Sequence, residues 1–249
     1  MSHLRNILVL SSTLFLAACW MGDKFTEIVP CPSSKDAASY AVSLTSTYCP
    51  APLPEDLPTH SGYLNIPKER APVCTAEYPV PNGTPITGVS MVTKYPGLAP
   101  AKRRFSGGLK DGQVAIHITP RCRPTPAENH GEEQSQRFLT YVKNNEGYKD
   151  DNGKPHFAPI QDLGGGWYFQ KNIREPYMDG NASLYFYKNN QGAIEFLLAC
   201  DDTEMCYADN NITNNEKYQA SYRFMNIPHT EFIKLHREIE ALLLSMQGK

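Results

Sequence analysis

The sequence predicts an α+β fold, mainly an antiparallel β-sheet with a C-terminal amphipathic helix packed on it. Short runs that alternate apolar and polar residues recur from about Tyr63 onward, and turn residues separate them. The chain then closes on a stripe of apolar side chains at helical spacing. No segment repeats at a fixed period, so the pattern does not indicate a solenoid or a propeller.

The chain begins with an apolar run, from Ile7 to Ala18, that follows the basic residue Arg5. A helix needs about 20 apolar residues to cross a bilayer, and this run is shorter. A basic start, a compact apolar run and small residues before a cut site are typical of a secretory signal peptide. We therefore expect residues 1–18 to be a signal peptide; the alternative is a buried N-terminal helix.

The apolar run ends in Leu-Ala-Ala-Cys, residues 16–19, which resembles the lipobox of bacterial lipoproteins. The resemblance implies that the Cys19 thiol is diacylated, that the chain is cut before it, and that acyl chains such as palmitate anchor the protein. Several acyl chains on one residue give a nearly permanent attachment. Because Trp20 is not an aspartate, the resemblance further implies the outer membrane, facing the periplasm.

Six of the seven cysteines remain if Cys19 carries lipid, and an even number in an oxidising compartment predicts three disulfides. Proximity in sequence favours Cys200–Cys206 and Cys31–Cys49, which leaves Cys74–Cys122. Since no C-x₂-C or H-x₃₋₅-H pair accompanies these cysteines, no metal site is predicted.

The distribution of prolines and charges predicts the domain organisation. Half of the 20 prolines lie between Pro30 and Pro81. We expect residues 19–60 to form a lipid-anchored, proline-rich tether with a helical turn over residues 36–42, pinned by a disulfide. Residues 61–249 are predicted to be an α+β binding domain, built as one unit or as two lobes. The net charge of −2 leaves no basic excess that would indicate nucleic-acid binding.

Alternating runs and turn signals predict the individual strands of the domain. A hairpin is expected where two such runs flank Asn189-Asn190-Gln191-Gly192. Residues 137–142 fit either a strand or a short helix, and the three glycines 164–166 predict a flexible bend. The predicted strands cover residues 88–93, 113–119, 167–170, 183–188, 193–198 and 218–224.

A C-terminal helix is predicted by apolar residues spaced three and four apart on one stripe. A stripe of this kind packs on a sheet; the alternative is a surface that binds a partner. His229 and His236 are interpreted as lying on the surface of this region. The stripe consists of Phe232, Leu235, Ile239, Leu242, Leu243 and Met246.

No arrangement of catalytic residues is found, so we expect a protein that is not an enzyme and has no cofactor. The run around Ser90 lacks the second glycine of a nucleophile elbow, and His117 lies on the polar face of its strand. The oxygen-rich residues 201–211 fall short of a calcium loop, because Asn214 stands where the glycine is required. A solvated acidic loop closed by Cys200–Cys206 is the favoured interpretation.

The last 50 residues are similar to the ends of immunity lipoproteins that neutralise type VI secretion effectors, notably lipases. The similarity lies in Cys200…Cys206, in Tyr218…Tyr222-Arg223-Phe224, and in the final helix. It implies a periplasm-facing immunity protein whose partners are a secreted toxin, which it occludes, and the membrane that holds its anchor. The hypothesised toxin contacts are Asp201, Asp202, Glu204, Tyr207 and Asp209.

Two other classes of protein remain open at this point. One is a structural lipoprotein that helps to assemble the cell envelope or a secretion apparatus. The other is a hydrolase whose site the sequence does not reveal.

Overall fold

The fold is that of a computed structural model, which describes residues 26–29, 31–32, 38–44, 62–77, 86–102, 108–120, 127–147, 149, 151–173, 182–201, 203–208 and 218–247. The helices are α1 (Ala127–Glu146) and α2 (Phe232–Met246). The strands are β1 (Thr26–Val29), β2 (Ser39–Leu44), β3 (Gly62–Pro67), β4 (Val73–Glu77), β5 (Ile86–Lys94), β6 (Ala99–Pro100), β7 (Gln113–Pro120), β8 (Gln161–Gly164), β9 (Trp167–Gln170), β10 (Ser183–Lys188), β11 (Ile194–Cys200), β12 (Met205–Ala208) and β13 (Tyr218–Met225).

The described strands form one sheet in the order β1-β4-β5-β7-β13-β12-β11-β10-β9-β8, with β2 paired to β3 and β5, and β6 paired to β5. Every pairing is antiparallel except the single parallel contact between Leu44 of β2 and Ile86 of β5. The predicted fold class, a mainly antiparallel sheet with a C-terminal helix packed on it, is confirmed. The expected hairpin is β10–β11, and the bend over the three glycines joins β8 to β9.

Helix α2 packs its predicted stripe against one face of the sheet. All six residues of the stripe are buried, and they share a core with the alternate residues of β5, β7, β11 and β13. Tyr218, Ala220, Tyr222 and Phe224 of β13 all point into this core, as the alternating run predicts. Burial of such side chains contributes about 1.5–3 kcal/mol each, so this layer is the largest source of stability in the described fold.

Helix α1 packs against the opposite face, on β10 and β11. Phe138 and Val142 are one turn apart and are buried against Phe186 and Ile194. The expectation of a strand or a short helix over residues 137–142 is resolved as part of a 20-residue helix. Among the described residues, no helix combines the length and the hydrophobicity that a membrane span requires.

Two segments that the sequence analysis assigns to the tether are strands of the sheet. The helical turn expected over residues 36–42 is wrong, because residues 39–44 form β2 and pair with β3 along its whole length. Tyr40, Val42 and Leu44 give this segment the period of two that a strand needs. Strand β1 pairs with β4 at the edge of the sheet.

The pairing of β1 with β4 also decides the first disulfide. Val29 lies opposite Cys74, so Cys31, two residues further on, is close enough to bond to Cys74, with their Cα atoms 5.2 Å apart. The expected pairs Cys31–Cys49 and Cys74–Cys122 are therefore wrong, since distance along the chain counts for less than strand pairing. Cys49 and Cys122 lie outside the described residues.

Two leucines of α2 provide a matched test of how the helix is held. Leu235 is fully buried, whereas Leu244 is 52% exposed. We expect Leu235→Ala to lower the free energy of unfolding by about 2–5 kcal/mol, because it leaves a cavity in the core. Leu244→Ala should change it by about 0.5 kcal/mol or less. Urea denaturation measures both, and equal losses in the two variants would contradict the packing of α2.

Candidate partner-binding site

The residues predicted to contact a partner belong to the turn between β11 and β12. Cys200 and Cys206 are paired across these strands, and the disulfide predicted between them is present, with a Cα–Cα distance of 4.0 Å. The turn is therefore closed at its base by a covalent bond and by the strand pairing. Asp201, Glu204 and Tyr207 are among the described residues, whereas Asp202 and Asp209 lie outside them.

Asp201 holds the turn in shape. Its Oδ1 atom accepts hydrogen bonds from the backbone N–H of Thr203 at 2.9 Å, from the Thr203 hydroxyl at 2.7 Å and from the backbone N–H of Met205 at 3.1 Å. Partial burial opposes the charged form, but these hydrogen bonds prevail and keep the pKa of Asp201 below its usual value. Asp201, predicted from the sequence as a partner contact, therefore has a structural role in the turn.

Glu204 is exposed at the tip of the turn and has a left-handed backbone, with φ of 62°. This conformation favours glycine and is uncommon for a residue with a Cβ atom. Its amide donates to the Asp201 carbonyl at 3.2 Å, which completes the turn. The turn thus exposes the Glu204 carboxylate on a residue whose backbone conformation is energetically unfavourable.

Tyr207 is 38% exposed and follows the turn on β12. Its hydroxyl donates to Oδ2 of Asp201 at 3.4 Å. Burial and the nearby Asp201 charge raise the pKa of Tyr207. The strand register pairs Tyr207 with Arg223 of β13, which places both on the α1 side of the sheet.

A cavity of about 360 Å³ lies beside the turn, on the α2 side. Segments that are far apart in the chain form the walls of this cavity, so it was not predicted from the sequence. The Tyr185 ring of β10 and the His229 ring stack at a centroid distance of 6.0 Å and an angle of 16°. The lining residues are Tyr185, Cys200, Asp201, Glu204, Cys206, Asn226, Ile227, Pro228, His229 and Phe232.

The loop between β13 and α2 forms the wall that faces Glu204. Asn226 is also left-handed, with φ of 53°, and its amide donates to the Glu204 carbonyl at 3.4 Å. The Asn226 side chain donates to Asp111 at 2.6 Å. Two left-handed residues other than glycine thus meet at the mouth of one cavity, and conformations of this kind cluster at functional sites.

His236 lies on the buried face of α2, so the interpretation that places it on the surface is wrong. Its Nδ1 atom shares a hydrogen bond of 2.9 Å with the Tyr222 hydroxyl, and its Nε2 atom lies 3.4 Å from Glu240. Burial, and then the charge of Glu240, raise the pKa of Tyr222 well above its usual value. This polar group joins the helix to β13 and is not part of the cavity.

Ser90 and His117 form the other polar contact of interest, on the face of the sheet opposite α2. Ser90 Oγ lies 2.8 Å from His117 Nδ1, and the strands pair these residues directly. A Cβ atom at Gly88 would lie 2.6 Å from the His117 ring, so the ring packs over a glycine. Within the described residues, Nε2 has no hydrogen-bond partner, so a group that would orient the imidazole for catalysis is not found there.

Metal binding has no support in the described part of the chain, where no cluster of three or more histidine, cysteine, aspartate or glutamate side chains occurs. In the acidic turn, the Asp201 carboxylate accepts hydrogen bonds from the backbone of the turn itself.

Comparison with known proteins gives one distant likeness. No protein family model and no curated protein matches the chain. Among solved structures, the chain is similar to Smlt3025, an immunity protein of the Stenotrophomonas maltophilia type IV secretion system, with 12% sequence identity and a TM-score of 0.44. The match covers 80% of this chain and 100% of that one. A likeness this distant does not by itself assign a function.

The burial of His117 predicts a pH dependence of stability. Burial lowers the pKa of His117 below its usual 6.5, so the unfolded chain binds this proton more readily than the folded one. The free energy of unfolding should therefore fall as the pH drops below about 6.5. Urea denaturation between about pH 7.5 and 5.5 measures this slope, and His117→Gln should reduce it.

His156→Gln is the matched control, because His156 lies in the segment between α1 and β8, outside the sheet. If His117→Gln leaves the slope of stability against pH at the wild-type value, His117 is not the source of the pH dependence.

Proposed function

We propose that this protein is a lipid-anchored immunity protein that binds a secreted toxin effector in the periplasm and occludes it. The observation that best supports this proposal is the covalently closed β11–β12 turn, which presents Glu204 beside the cavity. The rings of Tyr185, His229 and Phe232 line this cavity and are called its aromatic floor. A binding protein benefits from such a preformed surface, because little conformational entropy is then lost on association.

The proposed location of the protein at the cell envelope rests on two features. The first is the lipobox resemblance at residues 16–19. The second is the pair of disulfides, Cys31–Cys74 and Cys200–Cys206, since disulfides persist in oxidising compartments such as the bacterial periplasm. Attachment to the outer membrane, facing the periplasm, is the location we propose.

The surface around the turn has the composition of an interface centre. Tyrosine and arginine are the residues that most often dominate binding energy, and Tyr207 and Arg223 are exposed neighbours across two strands. A standard interface buries about 1,600 Å² in total, which requires contacts well beyond the cavity. Tyr207 and Arg223 lie on the α1 side of the sheet, so the proposed surface reaches from the cavity on the α2 side around the turn to the opposite face.

The toxin class we propose is a type VI secretion effector that acts on lipid. This finer proposal rests on the resemblance of Cys200…Cys206, Tyr218…Phe224 and the final helix to the ends of lipase-immunity lipoproteins. An inhibitor anchored to the membrane meets a lipid-directed toxin at a high local concentration, which favours capture before the toxin reaches its substrate. Occlusion needs no catalytic residues in the inhibitor.

Mass spectrometry of the protein extracted from membranes tests the address. We expect a mature chain that begins at Cys19 and carries acyl chains, with its other six cysteines oxidised to three disulfides, among them Cys31–Cys74 and Cys200–Cys206. Peptide mapping without reduction identifies each pair. An intact Met1 would contradict the anchor, and free thiols at the other cysteines would contradict the oxidising compartment.

Competition between sibling cells tests the immunity function. A strain that lacks this protein should be killed on contact by its parent, should survive beside a parent whose secretion system is inactive, and should be rescued by the wild-type gene. The same deletion strain is also used as the attacker against a susceptible competitor, where we expect killing as efficient as that of the parent.

The two directions of competition separate immunity from the alternative role in assembling a secretion apparatus. An assembly protein is needed for attack, so its loss would abolish killing by the deletion strain and leave that strain resistant to its parent. This pattern would replace the immunity proposal with the assembly role.

A further inference from the structure

We propose that the cavity beside the β11–β12 turn receives a single cationic side chain, an arginine or a lysine, from the partner protein. This inference rests on the proposed function and deepens it, because it names the chemistry that the partner must bring to this site.

Uncompensated negative charge is the first argument. Glu204 and Asp201 both line the cavity, and its described lining contains no lysine or arginine. Asp201 is occupied by hydrogen bonds within the turn, whereas Glu204 forms no ion pair within the described part of the chain. The free carboxylate at the cavity mouth therefore favours a positively charged occupant.

The aromatic floor is the second argument. The Tyr185 and His229 rings stack, and the Phe232 ring meets the Tyr185 ring edge to face at a centroid distance of 5.6 Å. A cation over the face of an aromatic ring gains about 0.5–1 kcal/mol even at exposed sites. A guanidinium group suits such a floor, because it is planar and can stack on the ring while its edge donates to a carboxylate.

The charge of Glu204 reaches this floor. Burial, and then the Glu204 charge, raise the pKa of the Tyr185 hydroxyl. Glu204 and Tyr185 also line the same cavity, so one bound cation can approach both.

Size and rigidity limit the occupant. At about 360 Å³ the cavity is near the lower end of small-molecule sites, which span about 300–1,000 Å³, and this size fits one long side chain. The Cys200–Cys206 bond and the hydrogen bonds of Asp201 fix one wall, and the Asn226 amide bonded to the Glu204 carbonyl fixes the other. A preformed site of this kind selects a side chain by its charge and shape.

A pair of small probes isolates the charge. N-acetyl-arginine methylamide carries the guanidinium group, and N-acetyl-citrulline methylamide has nearly the same shape without the charge. The full-length protein in detergent is titrated with each probe and observed by two-dimensional NMR of its backbone amides. We expect the arginine probe to shift the amides of Tyr185, Glu204, Asn226 and Phe232 with a dissociation constant on the order of millimolar, and the citrulline probe to shift them little.

Substitution of Glu204 shows whether its carboxylate is responsible. Glu204→Gln keeps the size and removes the charge, and should weaken binding of the arginine probe about two- to fivefold. Glu204→Gly should do the same while relieving the left-handed backbone, so it serves if the glutamine variant folds poorly. Glu195→Gln is the matched control, since Glu195 is an exposed residue of β11, the strand that leads into the turn, and lies outside the cavity. It should bind as the wild type does.

Three results would overturn the inference: equal shifts with arginine and citrulline, no shifts at the cavity residues, or unchanged binding in both Glu204 variants. None of these results decides the immunity proposal, which depends on the killing of the deletion strain by its parent. A deletion strain that survives beside its parent would contradict the immunity proposal and would leave the measured preference for the cation intact.

Discussion

The pairing of β13 with β7 holds the described structure together. Seven residue pairs, from Tyr218–Pro120 to Phe224–Val114, join strands that are about a hundred residues apart in sequence. On one side of this seam lie the N-terminal strands, and on the other lies the β8–β12 half that carries the turn and the cavity. Helix α2 lies across the seam. Its first residue, Phe232, packs against Trp167 of β9, and Gln247, just past its end, bridges to Leu64 of β3.

The same seam explains how the cavity is built. Asn226 and His229 follow β13 directly, so the position of β13 in the sheet sets the position of their loop. The β11–β12 turn reaches this loop because β12 pairs with β13. Neither wall depends on its own sequence alone, and the two left-handed residues at their contact are held by the surrounding pairing. This is the arrangement in which locally unfavourable backbone conformations persist.

Elements with a strong period were predictable from the sequence, and those held by distant partners were not. β7, β13 and α2 alternate or repeat so regularly that their apolar faces could be assigned residue by residue, although His236 of α2 was placed on the surface and is buried. Helix α1 was predicted only as one of two alternatives over residues 137–142, because the apolar residues Phe138 and Val142 lie in a mostly polar segment. β2 was mistaken for a helical turn although its residues alternate, since the strand is only six residues long and its partner β3 is distant in sequence.

At the site, proximity of Cys200 and Cys206 predicted their bond, but the same argument failed for Cys31, whose partner is set by the β1–β4 register. The role of Asp201 was also out of reach, because an aspartate that caps its own turn and one that meets a partner look alike in a sequence. The cavity was hidden for a different reason: β10, the turn and the loop before α2 contribute to it together.

The Cys31–Cys74 bond has a mechanical consequence if residue 19 is the lipid anchor. About a dozen residues then separate the membrane from Cys31, a reach of at most about 40 Å. Tension on this segment enters the described structure at β1, and the disulfide that follows β1 passes the load to β4, so detachment of the chain stops at Cys31 unless a covalent bond breaks. Five strand spacings, about 24 Å, separate β1 from β12, so the load is borne far from the cavity. Tension between the anchor and the domain would therefore leave the geometry of the cavity unchanged.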